Sequence, residues 1–422
     1  MKRKSERATS FEASSVSAMT ADSIRRMERV TNGKTWPRMD YILAVTVGAL
    51  LLIGLMMVYS STFDMAYQWN NGQSAYYLFR QLFSAALGLA LLLVLARLDY
   101  SHLHRLSIPF MGGVVLLLIL VLIFGQERYG ATRTFFSGRL QPSELMKLAV
   151  VIYIADWLAS KGDKIRDVSY GLVPFGVLIG GIAGLIVLQP DFSTASLIVA
   201  TAGVMFFLAG ADLKQLIGGT CVAAATFGVL VMNSAHGRDR VTAFLKLLSD
   251  PSQAGWQVKQ ALVAIGSGGL LGRGLGAGQQ KLGYLPLAHT DSIFAVIGEE
   301  VGLIGCLIVI ALFALLAYRG FKIAAQASDV FGALLATGAT SWIIFEAAFN
   351  IAAMTGLAPF SGIPLPFVSY GGSALVSAMG AVGILLSVSR GTRRTLRTRQ
   401  NGATFDLGRR DRRPRLSRAG GR

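Results

Sequence analysis

One carboxylate in this chain stands where a long polar connection runs into a strongly apolar stretch. The segment AGQQKLGYLPLAHTDSIFAVIGEE, Ala277 to Glu300, puts Asp291 at that junction. An acid at a membrane–water boundary is partly desolvated, which raises its proton affinity into the range where a carboxylate can act as a general base. His289, two residues earlier, invites a metal or base role. No second His or Cys stands at ligand spacing, so a hydrogen-bonding neighbour of Asp291 is the expected role.

Other ionisable residues interrupt apolar runs, and each needs a partner or a cavity. Glu144 and Lys147 are three residues apart and can meet on one helical face. A structural ion pair and a functional role are equally open for them. Asp191, in LQPDFSTAS, follows a proline at a short turn and reads as an N-cap that can also line a groove. Glu300 lies nine residues beyond Asp291, about 13 Å along a continuous helix and on roughly the opposite face. It is therefore expected to pair with a buried donor near the bilayer centre, not to form a carboxylate dyad. Glu346 reads the same way.

The elements that hold these groups follow from composition. Of 422 residues 53% are hydrophobic and only 15% charged, with a mean hydropathy of +0.53. That excludes a soluble globular domain and predicts an all-α polytopic membrane protein. Ten membrane-length segments are expected, at about 41–62, 76–96, 107–124, 142–159, 171–188, 193–210, 215–233, 292–317, 330–355 and 370–389. Residues 1–40 and 390–422 are basic tails expected to be disordered against anionic headgroups, flanking a membrane domain at 41–389. Neither tail has aromatic interleaving or a folded binding module, so no nucleic-acid partner is expected. The first apolar run starts too late and is too long for a cleaved signal peptide. Cys221 and Cys306 lie in apolar runs and read as small core residues.

With both ends in the cytoplasm, that side holds 29 of the 40 Lys and Arg residues, as the positive-inside rule requires. Two connections then face outward, Gly125–Gln141 and the much longer 234–290. The longer one contains WQVKQALVAIGSGGLLGRGLGAG, an amphipathic helix ending in a glycine-rich turn, expected to lie on the surface or re-enter beside a groove. The stretch GLAPFSGIPLPFVSYGGSA, from Gly356 to Ala374, has three prolines and cannot be continuous helix.

Four stretches in this order, GATRTFFSGRLQPSELMK at 130–147, LQPDFSTA at 188–195, GSGGLLGRGLGAGQQKLGYLPLAHTDSIFAVIGEEVGLIG at 266–305 and GIPLPFVSYGGSA at 362–374, resemble the SEDS family (shape, elongation, division and sporulation). The likeness runs from about Asp40 to Arg390. MVYSS around Val58 and QKLGYLPLAHTD bring the division branch closer than the elongation branch. The resemblance implies a glycosyltransferase that polymerises lipid II at the outer face of the bacterial inner membrane, with Asp291 in the place of the catalytic acid. By motif position it adds Arg133, Glu144, Lys147 and Asp191 as groove residues. It also implies a class B penicillin-binding protein transpeptidase as partner, among divisome or elongasome proteins. An α-linked donor and β-linked product imply inversion in one displacement.

Inverting hydrolases use two carboxyl groups, but a pyrophosphate leaves without protonation once its charge is neutralised, so one base suffices. Arg133, Lys147, Lys259 and Arg273 are the expected neutralisers, with or without a magnesium or manganese ion. Three positions depart from the family pattern: Leu287 replaces a Glu, Ser292 a Phe, and Thr134 an aromatic. A lipid II flippase is the competing class, since broken helices and midplane acids suit a transporter. A scaffold that only recruits a partner would need no interfacial acid.

Overall fold

The computed structural model describes residues 40–69, 73–128, 131–134 and 141–407. Among the described residues thirteen α-helices form in chain order: α1 (Tyr41–Trp69), α2 (Tyr76–Arg97), α3 (Ser101–Phe124), α4 (Pro142–Lys161), α5 (Val173–Val187), α6 (Phe192–Leu208), α7 (Leu213–Asn233), α8 (Ala235–Ser249), α9 (Trp256–Gly268), α10 (Ile293–Glu300), α11 (Gly302–Ala325), α12 (Val330–Met354) and α13 (Gly372–Leu407). Each of the ten expected segments holds a long helix. Among the described residues eight helices are long and apolar enough to cross a membrane. The other two expected spans are α4, which carries Glu144, Lys147, Asp156 and Lys161, and α6, which has 17 residues. Buried residues on the packed faces of both explain why they stay in the bundle despite charge or short length.

The core centres on α12, which packs against α4, α6, α11 and α13, while α13 lies along α2. Trp342, Phe206 and Phe294 are among its largest fully buried side chains. Asp40, placed in the tail by the sequence reading, belongs to the bundle: Arg319 Nε donates to its carboxylate at 3.1 Å. At the other end α13 continues past position 389 to Leu407, so the tail boundary falls inside a helix. Residues 1–39 and 408–422 lie outside the described residues. Cys306 is buried as expected, whereas Cys221 is exposed on the outward face of α7.

The eighth expected span is two helices. Chain 292–317 has membrane-crossing length with Glu299 and Glu300 as its charges, but α10 ends at Glu300 and α11 starts at Gly302, whose φ is +76°. A Cβ on Gly302 would lie 2.3 Å from the Gly272 amide nitrogen and 2.6 Å from the Leu270 carbonyl oxygen. The end of the long connection crosses here at backbone contact, and a left-handed residue without a side chain lets it. Depth counted along a straight helix from Asp291 to Glu300 therefore does not apply. Gly302→Ala is expected to lower stability by at least about 1–2 kcal/mol, the left-handed penalty alone. Thermal unfolding in detergent would read this, and an unchanged midpoint would contradict it.

The long connection holds α8 and α9 followed by irregular chain from Gly269 to Ser292. The shorter one carries a hairpin, β1 (Gln126–Arg128) antiparallel to β2 (Ala131–Thr134), with Glu127 opposite Thr132. Residues 355–371 are non-helical, as the prolines require, and their backbone polar groups find protein partners. Gln81 donates to the Ser369 carbonyl at 3.1 Å and accepts from the Gly371 amide at 3.3 Å.

Candidate active site

A groove with a cavity volume of ≈ 1920 Å³ opens at the end of the bundle that carries the long connection. Its walls come from the start of α2, the start of α4, the α5–α6 turn, α8, residues 281–291, α12 and the 358–376 stretch. Five residues expected from sequence line it together: Glu144, Lys147, Asp191, His289 and Asp291.

Asp291 is 5% exposed. Its Oδ1 accepts from the Thr290 hydroxyl at 3.0 Å, and its backbone carbonyl accepts from Asn350 Nδ2 at 2.7 Å. Asn350 uses the same amide on the Ile363 carbonyl, also at 2.7 Å, so α12 clamps the Asp291 turn to the proline-rich stretch. Ser369 Oγ donates to the Thr290 carbonyl, and the Tyr370 amide to the His289 carbonyl at 2.8 Å. Burial pushes the Asp291 carboxyl up to about 6; the Thr290 hydroxyl, its own backbone amide, Gln257 and Arg240 pull less strongly the other way.

That value sets a pH dependence. A base acts in its deprotonated form, so a reaction that uses Asp291 as base should show kcat/KM falling tenfold per unit as pH drops below about 6 and levelling off above it. A rate profile with no acid limb between pH 5 and 7 would contradict this.

The turn before Asp291 explains two departures from the family pattern. Leu287 has φ +51° and its carbonyl accepts from the Thr290 amide at 3.0 Å. Its side chain lines the groove, so no second acid assists there. Ser292 is buried, donates to the Pro286 carbonyl at 3.1 Å and accepts from Gln257 Nε2 at 2.9 Å, closing the turn with hydrogen bonds. His289 stacks near Tyr77 and Tyr370, with ring centroids 5.7 and 5.6 Å away. Burial lowers it to about 4, so it stands in the groove wall as a neutral imidazole.

Lys147 is held between two acids, with Nζ 2.7 Å from both Glu144 Oε2 and Glu346 Oε1. All three side chains are 3–5% exposed. Trp342 Nε1 donates to Glu346 Oε2 at 2.9 Å, one helical turn away. Asp191 caps α6 as expected, with Oδ1 accepting from the Thr194 amide at 3.2 Å.

Two expected neutralisers are elsewhere. Lys259 is exposed on α9, where its charge acts on Asp250. Arg273 bonds Gln279 Oε1 at 3.0 Å and lies 3.8 Å from Glu299, bracing the connection instead of lining the groove. Arg133 lies in β2, and its side chain is outside the described residues. The basic residues that do line the groove with Lys147 are Arg80, Arg240 and Lys281. Lys281 is neutralised by Glu300 at 2.7 Å, and the Glu300 carboxylate also accepts from Ser60 Oγ and the Gly276 amide. Glu299 accepts from the Gln279 and Gln280 amides at 2.8 and 3.1 Å. Glu300 thus has the buried donor expected of it, and both glutamates hold the connection that presents Asp291.

Among the described residues no three His, Cys, Asp or Glu side chains gather as metal ligands.

The chain matches the model of the cell cycle protein family FTSW_RODA_SPOVE over residues 41–394. It is 43% identical over 356 residues, 83% of this chain and 93% of the relative, to the "Probable peptidoglycan glycosyltransferase FtsW" of Trichlorobacter lovleyi. It is 38% identical to the stage V sporulation protein E of Bacillus subtilis, over 86% of this chain and all of the relative. Among solved structures it is similar to a chain from work on structural coordination of polymerization and crosslinking by a peptidoglycan synthase complex. That match has a TM-score of 0.69 and 28% identity, covering 85% of this chain and 99% of that one. The rod shape determining protein RodA of Thermus thermophilus matches with a TM-score of 0.62 and 28% identity, over 84% and 98%.

Proposed function

Since the chain belongs to the FTSW_RODA_SPOVE family of cell cycle proteins, we propose that it is the division member's counterpart, a peptidoglycan glycosyltransferase that polymerises lipid II with Asp291 as general base. The single observation that carries the assignment of the base is a 5% exposed carboxylate, held by backbone and side-chain clamps, in the wall of a large groove. On this reading two lipid-linked disaccharides meet in the groove. One supplies the acceptor hydroxyl and the other the anomeric carbon.

In the step itself the acceptor O–H gives its proton to the Asp291 carboxylate, and the oxygen attacks the donor's anomeric carbon. The bond from that carbon to the pyrophosphate oxygen breaks with inversion, and its electron pair leaves with the lipid pyrophosphate. A buried carboxylate near neutrality is suited to that task, since a base works best when its pKa lies near the working pH. Any magnesium or manganese requirement is assigned to the substrate, because magnesium binds through one or two carboxylates plus phosphate oxygens.

The protein is a multi-pass membrane protein. The same reading places it in the bacterial inner membrane at the septum, with both termini cytoplasmic and the groove outward. The basic residues at the opposite end of the helices support that orientation. For partner it proposes a class B penicillin-binding protein transpeptidase. A relative whose complex couples polymerization to crosslinking supports a crosslinking partner.

The flippase reading would need a site reachable from both ends. The groove instead gathers Asp291, Arg240, Lys147 and Asp191 at one end. The deciding assay is lipid II polymerisation in liposomes by the purified protein with its transpeptidase. Glycan ladders support the enzyme; lipid II transfer between leaflets without ladders would replace it with the transporter.

A further inference from the structure

Gly362 lies in the groove wall beside two opposite charges. An ideal Cβ on it would lie 3.8 Å from Asp291 Oδ2 and 4.0 Å from Arg240 Nη2, and its φ is +67°. Phe360 Cε1 is as near to that point as the guanidinium, at 4.0 Å, and both charged groups line the groove. Arg240, on α8, is held in place by the same stretch: its guanidinium carbon is 5.5 Å from the Phe360 ring centroid, and Nη1 points at the Ser361 carbonyl oxygen at 3.4 Å. Ser193 Oγ donates to that same carbonyl at 2.6 Å, anchoring it from α6.

Other groove cations are engaged differently. Lys147 is neutralised by two carboxylates and Lys281 by Glu300. Arg80 stacks on Tyr76 of its own helix, 5.7 Å from the ring centroid. Resting on the glycosyltransferase reading above, we propose that Arg240 is a catalytic residue: its guanidinium receives the donor's leaving pyrophosphate while Asp291, beside Gly362, receives the acceptor's proton.

A single displacement puts the attacking oxygen and the leaving oxygen on opposite sides of the anomeric carbon. A base and a cation that both approach Gly362 in one groove can serve those two oxygens. The proton ends on Asp291, and the electron pair of the broken C–O bond ends on a pyrophosphate oxygen facing Arg240. A planar guanidinium offers two parallel N–H donors to phosphate oxygens, which a lysine ammonium does not. Removing a donor aimed at developing charge typically lowers kcat about 10²–10³-fold.

The test compares wild type, Arg240→Lys, Arg240→Gln and Asp291→Asn, each checked by thermal unfolding in detergent. Farnesyl pyrophosphate and farnesyl monophosphate serve as binding probes beside the lipid II assay. Arg240→Gln is expected to lose turnover about 10²-fold and pyrophosphate-probe affinity at least about tenfold, with Arg240→Lys between it and wild type. Asp291→Asn should bind the pyrophosphate probe as wild type does. The acid limb of the Arg240→Gln rate profile should also move to higher pH. Asp291 then loses the Arg240 charge that holds its carboxyl down, while Thr290 and Gln257 still act on it.

Arg240→Gln with wild-type turnover would overturn the proposal. So would lost turnover with unchanged probe affinity and an unmoved acid limb, since that is a structural role. Absence of ladders from wild type strikes the glycosyltransferase reading instead. The farnesyl pyrophosphate titration then still decides whether Arg240 binds a lipid pyrophosphate.

Discussion

Asp291→Asn should abolish glycan ladders, lowering the rate by at least about 10²–10⁴-fold, the usual contribution of a positioned general base. The same variant should fold at least as stably as wild type. Burial raises the Asp291 carboxyl from 3.8 to about 6, so the ionised native state carries about 3 kcal/mol at 1.36 kcal/mol per unit. The sign follows from proton counts. Between the unfolded and folded values the native state binds more protons, so stability from this group is present below pH 4 and lost as pH rises through 6. At neutral pH the wild type bears that penalty and the asparagine does not. The asparagine amide can donate to the Thr290 hydroxyl that now donates to Asp291. Loss of activity with an unchanged or higher unfolding midpoint is therefore the expected pair of results. A lower midpoint would point to a structural acid, and full activity would remove Asp291 from the mechanism.

Asp291 was legible in the sequence because a lone acid between a polar connection and an apolar run has few bland explanations. The ten long helices were legible because apolar length is set by the bilayer. The break at Gly302 was not, because its cause is a chain crossing from Gly272 that no local pattern announces. Lys259 and Arg273 are basic residues of the long connection, and their types alone do not say which way they face. Exposure on α9 and a bond to Gln279 take them elsewhere.

Arg240 belongs to a short polar helix whose register toward Asp291 depends on residues 360–362, over a hundred positions later. Asn350 carries no local signal at all: its two acceptors, on residues 291 and 363, lie in separate loops that only the fold brings together. The ion pair of Glu144 and Lys147 was visible as a three-residue spacing. Its second acid, 199 positions away, was visible only as an isolated charge needing a partner.

That third member makes Lys147 the most consequential structural residue in the groove. Removing it as Lys147→Met keeps length and volume but leaves Glu144 and Glu346 facing each other without a cation. Breaking a buried ion pair by removing one partner typically costs about 3–5 kcal/mol, because the remaining charge stays desolvated. Two such charges remain here, both in side chains no more than 5% exposed. Glu346→Gln should be much milder. Lys147 keeps Glu144 at 2.7 Å, and the glutamine oxygen can still accept from Trp342 Nε1. Adding Glu346→Gln to Lys147→Met removes one of the two stranded charges. The double variant should thus recover part of the loss, giving a coupling between the sites well outside the additive range of about 0.3–0.5 kcal/mol for independent positions. Unfolding midpoints of the four proteins in one detergent complete the cycle. Additive effects would mean that Glu144 alone neutralises Lys147, and that Glu346 reached its place in the core for its bond to Trp342.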